Sequence, residues 1–191
     1  MGNKKRICVY CSSSKRLKEN FYNAAKELGY KIAKNGYDMV YGGSTCGMMG
    51  IIADNALANG ADVLGVIPKR IEAMGVTHPE LANIIVTEDM RSRKAKMEEY
   101  ADAFVAMPGG FGTFEEIFEI IVAKQLSYHN KPIVFVNIDG YYDNLFKMFE
   151  TVYENNFAYD FTRDLYFIAK NIDEMFEYIE NYVPKVVEFK Y

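Results

Sequence analysis

The sequence predicts a three-layer α/β fold, an open parallel sheet of about seven strands with helices on both of its faces. Apolar runs of four to six residues recur along the 191-residue chain, and most of them are continuous rather than alternating. Continuous apolar runs are typical of parallel strands that are covered on both faces. Helical stretches lie between the runs, and this alternation predicts parallel strands joined by crossover helices.

The expected elements follow one another along the chain. The apolar stripe of residues 21–32 predicts the first helix, which ends at Gly36. A second helix is expected over residues 51–60. A third, over residues 115–126, is apolar on much of its surface and is therefore expected to be well buried. The expected strands are residues 7–10, 38–41, 62–67, 83–86, 102–107, 132–136 and 165–169.

Length and composition indicate a single domain over residues 1–191. The formal net charge of -4 gives no reason to expect a nucleic-acid partner, since Lys and Arg are not in excess. No apolar stretch long enough for a signal peptide or a membrane span is visible, so we expect a cytoplasmic protein without a membrane partner. The carboxy-terminal tail, PKVVEFKY, is expected to dock on the core or on a partner.

The cysteines predict neither a redox centre nor a metal centre. Cys8 and Cys11 form a C-x-x-C pattern within and just after the strand ICVY. A spacing of three along a strand points two side chains to opposite faces, which favours core or loop residues over a redox pair. Cys46 has only His78 and His129 as further soft ligands, so no metal site is expected.

Four unusual segments directly follow expected strands. They are CSSS after the first strand, YGGSTCGMMG after the second, EDMRSRK after the fourth and PGGFGT after the fifth. Ligands of open parallel sheets bind beyond the carboxyl ends of the strands. We therefore expect these four segments to converge on one binding site.

The segment PGGFGT predicts a site for a single phosphate monoester. It lacks the Gly-Lys-Ser/Thr ending of a P-loop, and Glu115 occupies the place of the third glycine of a dinucleotide fingerprint. It also follows the fifth strand, whereas that fingerprint follows the first, which disfavours a nicotinamide cofactor. What remains is a glycine-rich helix start, where backbone N–H groups bind an anion at close range.

Two features also have purely structural interpretations. Thr113-x-x-Glu116 is a capping-box pattern, in which the two residues satisfy each other's backbone N–H groups. Glu115 and Glu116 point about 100° apart around a helix, so they cannot share one role. The basic run MRSRKAKM is, taken alone, as consistent with a solvated helix face as with a binding surface.

MRSRKAKM followed by PGGFGTFEE resembles the paired signature of the LOG ("Lonely guy") family, cytokinin-activating phosphoribohydrolases. That signature is R-K-x-x-M and then P-G-G-x-G-T-x-x-E. The similarity extends across most of the chain, through CSSS, YGGSTCGMMG, GVIPK and DGYYDNL. The positions that match the signature are Arg93, Lys94, Met97, Pro108, Gly109, Gly110, Gly112, Thr113 and Glu116.

The resemblance implies a Rossmann-like fold and a reaction. The family hydrolyses the N-glycosidic bond of a nucleoside 5′-monophosphate, AMP or an N6-substituted relative, releasing the free base and ribose 5-phosphate. It implies Arg93 and Glu116 as the catalytic pair, no cofactor, and a homodimer with sites near the subunit interface. The implied substrate-binding residues are Gly43, Ser44, Met90, Arg93, Lys94, Gly109, Gly110, Phe111, Gly112 and Thr113.

This reaction gives the glutamate a chemical role beside the phosphate. Breaking an N-glycosidic bond builds positive charge on the ribose. Glu116, one turn beyond the phosphate loop, is expected to stabilise that charge or to position water. Arg93 is expected to hold the glutamate or the phosphate, because a guanidinium cannot act as a general base. No proton donor is assigned, since the acidic residues at the same edge, Glu88 and Asp89, are of a kind that commonly caps helices.

Two other functions are less consistent with the sequence than phosphoribohydrolysis. The family has often been labelled lysine decarboxylase, but that chemistry needs pyridoxal phosphate on a Schiff-base lysine, and nothing marks Lys94 as that lysine. The second rival is a carrier that binds a nucleotide or a phosphorylated cofactor without reaction. The joint presence of Arg93 and Glu116 favours the enzyme, because simple phosphate binding would not require the carboxylate.

Overall fold

A computed structural model, which describes residues 4–184, contains one seven-stranded sheet in the spatial order β4-β3-β2-β1-β5-β6-β7. All neighbouring strands are parallel. The predicted open parallel sheet is confirmed, and the strand bounds differ from those expected by two residues at most. The strands are β1 (Arg6–Tyr10), β2 (Asp38–Tyr41), β3 (Val63–Pro68), β4 (Asn83–Thr87), β5 (Ala103–Ala106), β6 (Ile133–Val136) and β7 (Phe167–Ala169).

The strands β1, β2, β3, β5 and β6 are covered on both faces, as their continuous apolar runs predict, whereas the edge strand β4 is mostly exposed and β7 is only partly buried. Alternate residues of β1 enter two separate cores, with Ile7 and Val9 in one and Cys8 and Tyr10 in the other. The first core contains residues of α1, α2 and α7, and the second contains residues of α4 and α5. The helices are α1 (Glu19–Lys34), α2 (Gly47–Ala58), α3 (Lys69–Glu72), α4 (Met90–Glu99), α5 (Phe111–Gln125), α6 (Asp143–Glu154) and α7 (Ile172–Glu180).

The third predicted helix begins earlier than expected. The apolar pattern predicts residue 115 as its start, whereas α5 begins at Phe111 and includes Gly112. The predicted start is wrong because glycine, here Gly112, disfavours a helix interior. In the first turn that cost is smaller, and the turn is stabilised here by the packing of Thr113 and Glu116 against the core side.

Some expectations extend beyond what the structure describes. Residues 185–191, which make up all of the tail PKVVEFKY except Pro184, lie outside the described part of the chain. The single domain over residues 1–191 consequently stays a prediction. Across residues 4–184, no helix has the length and apolarity that crossing a membrane requires.

The chain reverses its direction across the sheet at β1. From β1 it proceeds through β2 and β3 to β4 on one side, and then crosses back to β5 and continues to β7 on the other. The helices that follow β1 and β5, α1 and α5, lie on opposite faces of the sheet, and open α/β sheets have their binding crevice at such a point, beyond the carboxyl ends of the strands. This switch point is where ligands bind in open α/β sheets.

Candidate active site

The segments after β1, β2 and β5 meet at the switch point. The N–H of Ser12 donates to the carbonyl oxygen of Pro108 over 3.3 Å, and the N–H of Met48 donates to the oxygen of Ser12 over 3.0 Å. A Cβ on Gly47, whose φ is 58°, would lie 2.5 Å from the carbonyl oxygen of Ser14. Only glycine allows that approach. The predicted convergence of these loops is confirmed.

Gly43 and Ser44 follow β2 after Gly42, and the segment that contains Thr77 and His78 lies against them. The carbonyl oxygen of Gly43 accepts from the N–H of His78 over 2.9 Å, and Ser44 forms an isolated antiparallel bridge with Thr77. Ser44 is buried, and its hydroxyl oxygen accepts from the N–H of Cys46. Both residues therefore lie at the carboxyl edge of the sheet, and their contact with the substrate stays a prediction.

Asp89 is the N-cap of α4. Its Oδ1 accepts from the N–H of Ser92 over 2.8 Å, and the Ser92 hydroxyl accepts from the N–H of Asp89 over 3.2 Å. Hydrogen bonds from the backbone and hydroxyl of Ser92 lower the pKa of Asp89. The other acidic candidate, Glu88, pairs with Lys69. The capping interpretation of Asp89 is confirmed, and an ionised cap is a poor proton donor.

The first turn of α5 presents backbone N–H groups at the crevice. Gly110 is the N-cap, and the first hydrogen bond of the helix runs from the N–H of Phe114 to the oxygen of Gly110 over 3.0 Å. The N–H groups of the preceding residues thus have no acceptor within the helix. A Cβ on Gly110 or Gly112 would meet no atom within 4 Å, so there is open space beside both. Phe111 is 91% exposed.

Thr113 faces inward from this turn. A Cβ on Gly109 would lie 2.0 Å from its hydroxyl oxygen, so glycine at position 109 is a steric requirement. Thr113 is the third residue of the helix, beyond the N-cap Gly110, and the carboxylate of Glu116 is bound to Arg93. The capping-box interpretation of Thr113-x-x-Glu116 is therefore wrong.

Arg93 of α4 and Glu116 of α5 form a buried ion pair. Nη1 of Arg93 donates to Oε1 of Glu116 over 2.5 Å, and both side chains are about nine-tenths buried. Nε of Arg93 donates to the carbonyl oxygen of Val66 in β3 over 3.1 Å. Burial raises the pKa of Glu116, while the charge and hydrogen bond of Arg93 oppose that rise. The pair predicted as catalytic is thus one connected unit.

Gly42 provides the space for the guanidinium, and sequence reasoning missed it. A Cβ at this position would lie 2.1 Å from Nη2 of Arg93 and 2.6 Å from Cε of Met49. The signal for it is the first glycine of the run YGGS, whereas the resemblance implies only the second, Gly43, as a site residue. Gly42 shapes the pocket of the ion pair instead.

Replacing Gly42 with alanine is expected to lower the turnover rate of the folded enzyme at least about tenfold, because a group fixed by two hydrogen bonds must move. Arg93 is fixed by Val66 and Glu116 and cannot give way without breaking one of these bonds. The steady-state rate of base release from AMP, measured well below the melting transition of the variant, tests this expectation.

Gly36→Ala is the matched control for Gly42→Ala. Gly36 has φ 77° and open space around it, so alanine there strains only the backbone after α1. We expect this control to lose stability while its folded fraction keeps the wild-type rate. Equal rates in both variants would show that Gly42 does not position the ion pair.

Lys94 and Glu115 form a second link between the same two helices. The Lys94 ammonium binds the carboxylates of Glu115 and Glu119. Partial burial alone would lower the pKa of Lys94, but the two hydrogen-bonded carboxylates raise it. Glu115 and Glu116 thus have different partners, as their angular separation predicts. The predicted substrate contacts of Lys94 and of Met90, the half-exposed first residue of α4, stay predictions.

Comparison with known proteins identifies relatives over nearly the whole chain. A protein-family model described as "Possible lysine decarboxylase" matches residues 49–179. Cytokinin riboside 5′-monophosphate phosphoribohydrolase LOG2 of Arabidopsis thaliana is 38% identical over 185 residues, which are 97% of this chain and 87% of that protein. The enzyme LOG of Oryza sativa subsp. japonica is 38% identical over 181 residues, 95% of this chain and 75% of that protein.

Solved structures share the fold at low sequence identity. The Moco carrier protein of Chlamydomonas reinhardtii superposes with a TM-score of 0.71 at 22% identity, covering 93% of this chain and 96% of that one. The molybdenum cofactor binding protein of Rippkaea orientalis gives a TM-score of 0.72 at 19% identity, covering 94% and 98%. At such identities the similarity establishes the three-layer architecture alone.

Proposed function

Because the chain belongs to the LOG family, we propose that it is a nucleoside 5′-monophosphate phosphoribohydrolase. In this proposal it hydrolyses the N-glycosidic bond of AMP or of an N6-substituted riboside 5′-monophosphate. The products are the free base and ribose 5-phosphate. The single observation that carries the proposal is the buried pair of Arg93 and Glu116, one turn beyond a glycine-rich helix start.

The first turn of α5 holds the 5′-phosphate in this mechanism. The N–H groups from Gly110 to Thr113 carry the positive end of the helix dipole, and the open space beside Gly110 and Gly112 admits the phosphate oxygens. Because the phosphate is tethered there, the ribose lies further along the inner face of the helix. The carboxylate of Glu116 is on that face.

Glu116 acts on the sugar as the bond breaks. The bond between C1′ and the base nitrogen cleaves with its electron pair leaving on the base, and positive charge develops at C1′ and the ring oxygen. The anionic carboxylate stabilises that charge and orients the water whose oxygen adds to C1′. The water loses one proton to solvent as it adds, and the departing base takes up one proton from solvent. Arg93 holds the carboxylate in place, and its charge and hydrogen bond oppose the rise in the pKa of Glu116 that burial causes.

The carrier alternative shares the phosphate site but not the need for the ion pair. Its support is the fold shared with molybdenum cofactor binding proteins, at 19–22% identity. A carrier would gain nothing from a buried carboxylate beside its anionic ligand, since that charge weakens phosphate binding. The observed pair therefore favours hydrolysis.

The purified protein is expected to release free base and ribose 5-phosphate from AMP or N6-isopentenyl-AMP without added metal or cofactor. The proposed mechanism uses water, Glu116 and the helix start and has no step that involves a metal or a cofactor. Chromatography of the base detects the product, and comparison of the two substrates identifies the preferred base. Activity that is lost in EDTA and restored by a divalent ion would contradict the mechanism.

The family resemblance and one apolar surface support a homodimer. Along α5, Phe118, Val122 and Leu126 follow one another at helical spacing and are 36%, 51% and 46% exposed. An apolar groove of about 140 Å³ adjoins them, lined in part by Phe149 and Tyr166. We propose that a second copy of the chain covers this surface. We also propose that the protein resides in the cytoplasm.

Val122→Glu is expected to convert the dimer into monomers, because it places a charge in the middle of this apolar surface. Light scattering at the concentration of the activity assay measures the mass. Tyr30→Glu, at a comparably exposed position on α1 across the sheet, is the matched control and should remain dimeric. A wild-type protein that is monomeric and fully active would refute the dimer.

A further inference from the structure

Two tyrosines from the segment after β6 donate hydrogen bonds to backbone carbonyl groups just after the end of β5. The hydroxyl of Tyr141 donates to the carbonyl oxygen of Gly109 over 2.5 Å, and the hydroxyl of Tyr142 donates to the oxygen of Met107 over 2.6 Å. Both belong to the sequence DGYYDNL, to which sequence reasoning assigned no role. The Tyr142 bond is buried at the strand end, whereas the Tyr141 bond lies beside the glycine-rich turn.

Packing fixes the ring of Tyr141 independently of Gly109. The ring meets Phe21 edge-on at a centroid distance of 5.8 Å and Tyr142 at 4.9 Å, with interplanar angles of 80° and 81°. Such edge-to-face contacts define the ring orientation. The hydroxyl of this 42% exposed residue is therefore held near the oxygen of Gly109 by ring contacts that do not involve the glycine-rich turn.

The hydrogen bond determines where the next N–H points. In a trans peptide the C=O of one residue and the N–H of the next point in opposite directions. The Gly109–Gly110 peptide has glycine on both sides, so little steric hindrance opposes its rotation. With the oxygen of Gly109 held by Tyr141, the N–H of Gly110 faces away from the tyrosine. The side chain of Thr113 occupies the space that a Cβ of Gly109 would take, so the peptide cannot turn in that direction.

We propose that Tyr141 is a positioning residue for the phosphate of the substrate, acting through the Gly109–Gly110 peptide. Its hydroxyl keeps the Gly110 N–H directed at the phosphate, so that this donor does not have to be oriented each time the ligand binds. The inference rests on the proposed function, because it assigns an anion to the first turn of α5. It adds a residue from the segment after β6 to a site otherwise built from the segments after β1, β2, β4 and β5.

Tyr141→Phe tests this role, since it keeps the ring and removes only the hydroxyl. We expect the dissociation constant for ribose 5-phosphate and the KM for AMP to rise together, by about tenfold for one lost orienting hydrogen bond. The kcat should change less than about threefold, because Glu116 and Arg93 are untouched. Titration calorimetry with ribose 5-phosphate and steady-state kinetics with AMP give the two readouts.

Tyr182→Phe is the control, because it removes a tyrosine hydroxyl that donates to Oδ1 of Asn130 over 3.0 Å. It should bind ribose 5-phosphate like the wild type. Unchanged affinity in Tyr141→Phe, or a loss of kcat and stability without a selective loss of ribose 5-phosphate binding, overturns the positioning role while hydrolysis by the wild type stands. A wild type that neither binds ribose 5-phosphate nor hydrolyses AMP overturns the proposed function and this inference with it.

Discussion

Glu116→Gln is expected to lower kcat for AMP by at least about 100-fold, equivalent to roughly 2.7 kcal/mol of barrier. The amide can still accept the hydrogen bond of Arg93, but it has no charge with which to stabilise the cationic sugar. The affinity for ribose 5-phosphate should stay the same or increase, because an anion near the phosphate has been removed. Steady-state kinetics and titration calorimetry measure the two effects separately.

The stability of this variant needs its own measurement. The substitution leaves the buried guanidinium of Arg93 opposite a neutral group, so we expect the melting temperature to fall. Rates are therefore compared well below the transition and per folded molecule. Glu115→Gln changes the net charge equally at the neighbouring position, where the carboxylate is half-exposed and bound to Lys94. This control should stay active. Equal losses of rate in both variants, or an active Glu116→Gln, would assign Glu116 a structural role only.

Removal of the 5′-phosphate is expected to have an even larger effect. Adenosine should be hydrolysed with a kcat/KM at least about 1000-fold below that of AMP, since three charge-assisted hydrogen bonds contribute about 1.5–3 kcal/mol each. The phosphate also orients the ribose against Glu116, so part of the loss should appear in kcat. Both substrates are assayed by chromatography of released adenine. Adenosine turned over as efficiently as AMP would exclude a phosphate site at α5.

Gly112 offers a matched pair of variants for the same question. Because the space beside it is open, both aspartate and asparagine fit there, and the two differ only in charge. Gly112→Asp should bind AMP far more weakly than Gly112→Asn, because its carboxylate repels the phosphate. An acidic residue in a first turn favours the helix itself, so weak binding cannot be attributed to unfolding of α5. Equal KM values for the two variants would place the phosphate elsewhere.

The fold could be predicted almost completely because its signals are local. Each buried strand is a short apolar run, and each run is bounded by polar or glycine residues. The convergence of four segments followed from one rule about parallel sheets. The start of α5 was missed, because the residues that stabilise its first turn do so through tertiary contacts of Thr113 and Glu116.

The association of Arg93 with Glu116 is implied by the resemblance and not by spacing. Arg93 and Glu116 are separated by 23 positions, and no periodicity relates them. The run YGGS is a signal for a close approach at Gly42, but it does not indicate that Arg93 fills the space, and nothing in the sequence indicates the carbonyl group of Val66 as a partner. The same holds for Tyr141, whose hydroxyl reaches a carbonyl 32 residues away in the sequence. Contacts of this kind leave no trace in the pattern of residue types.

The reversal of the chain at β1 divides the ion pair between two halves of the molecule. Arg93 belongs to the half that builds β1 to β4, and Glu116 to the half that builds β5 to β7. In the proposed mechanism neither half contains both members of the pair, so hydrolysis requires that the two halves are packed together. Helical content reports that each half has formed, whereas hydrolysis reports their assembly. The rate of hydrolysis therefore measures whether the two halves are correctly packed. A chain divided in the turn between α4 and β5 is expected to be inactive until its two pieces recombine.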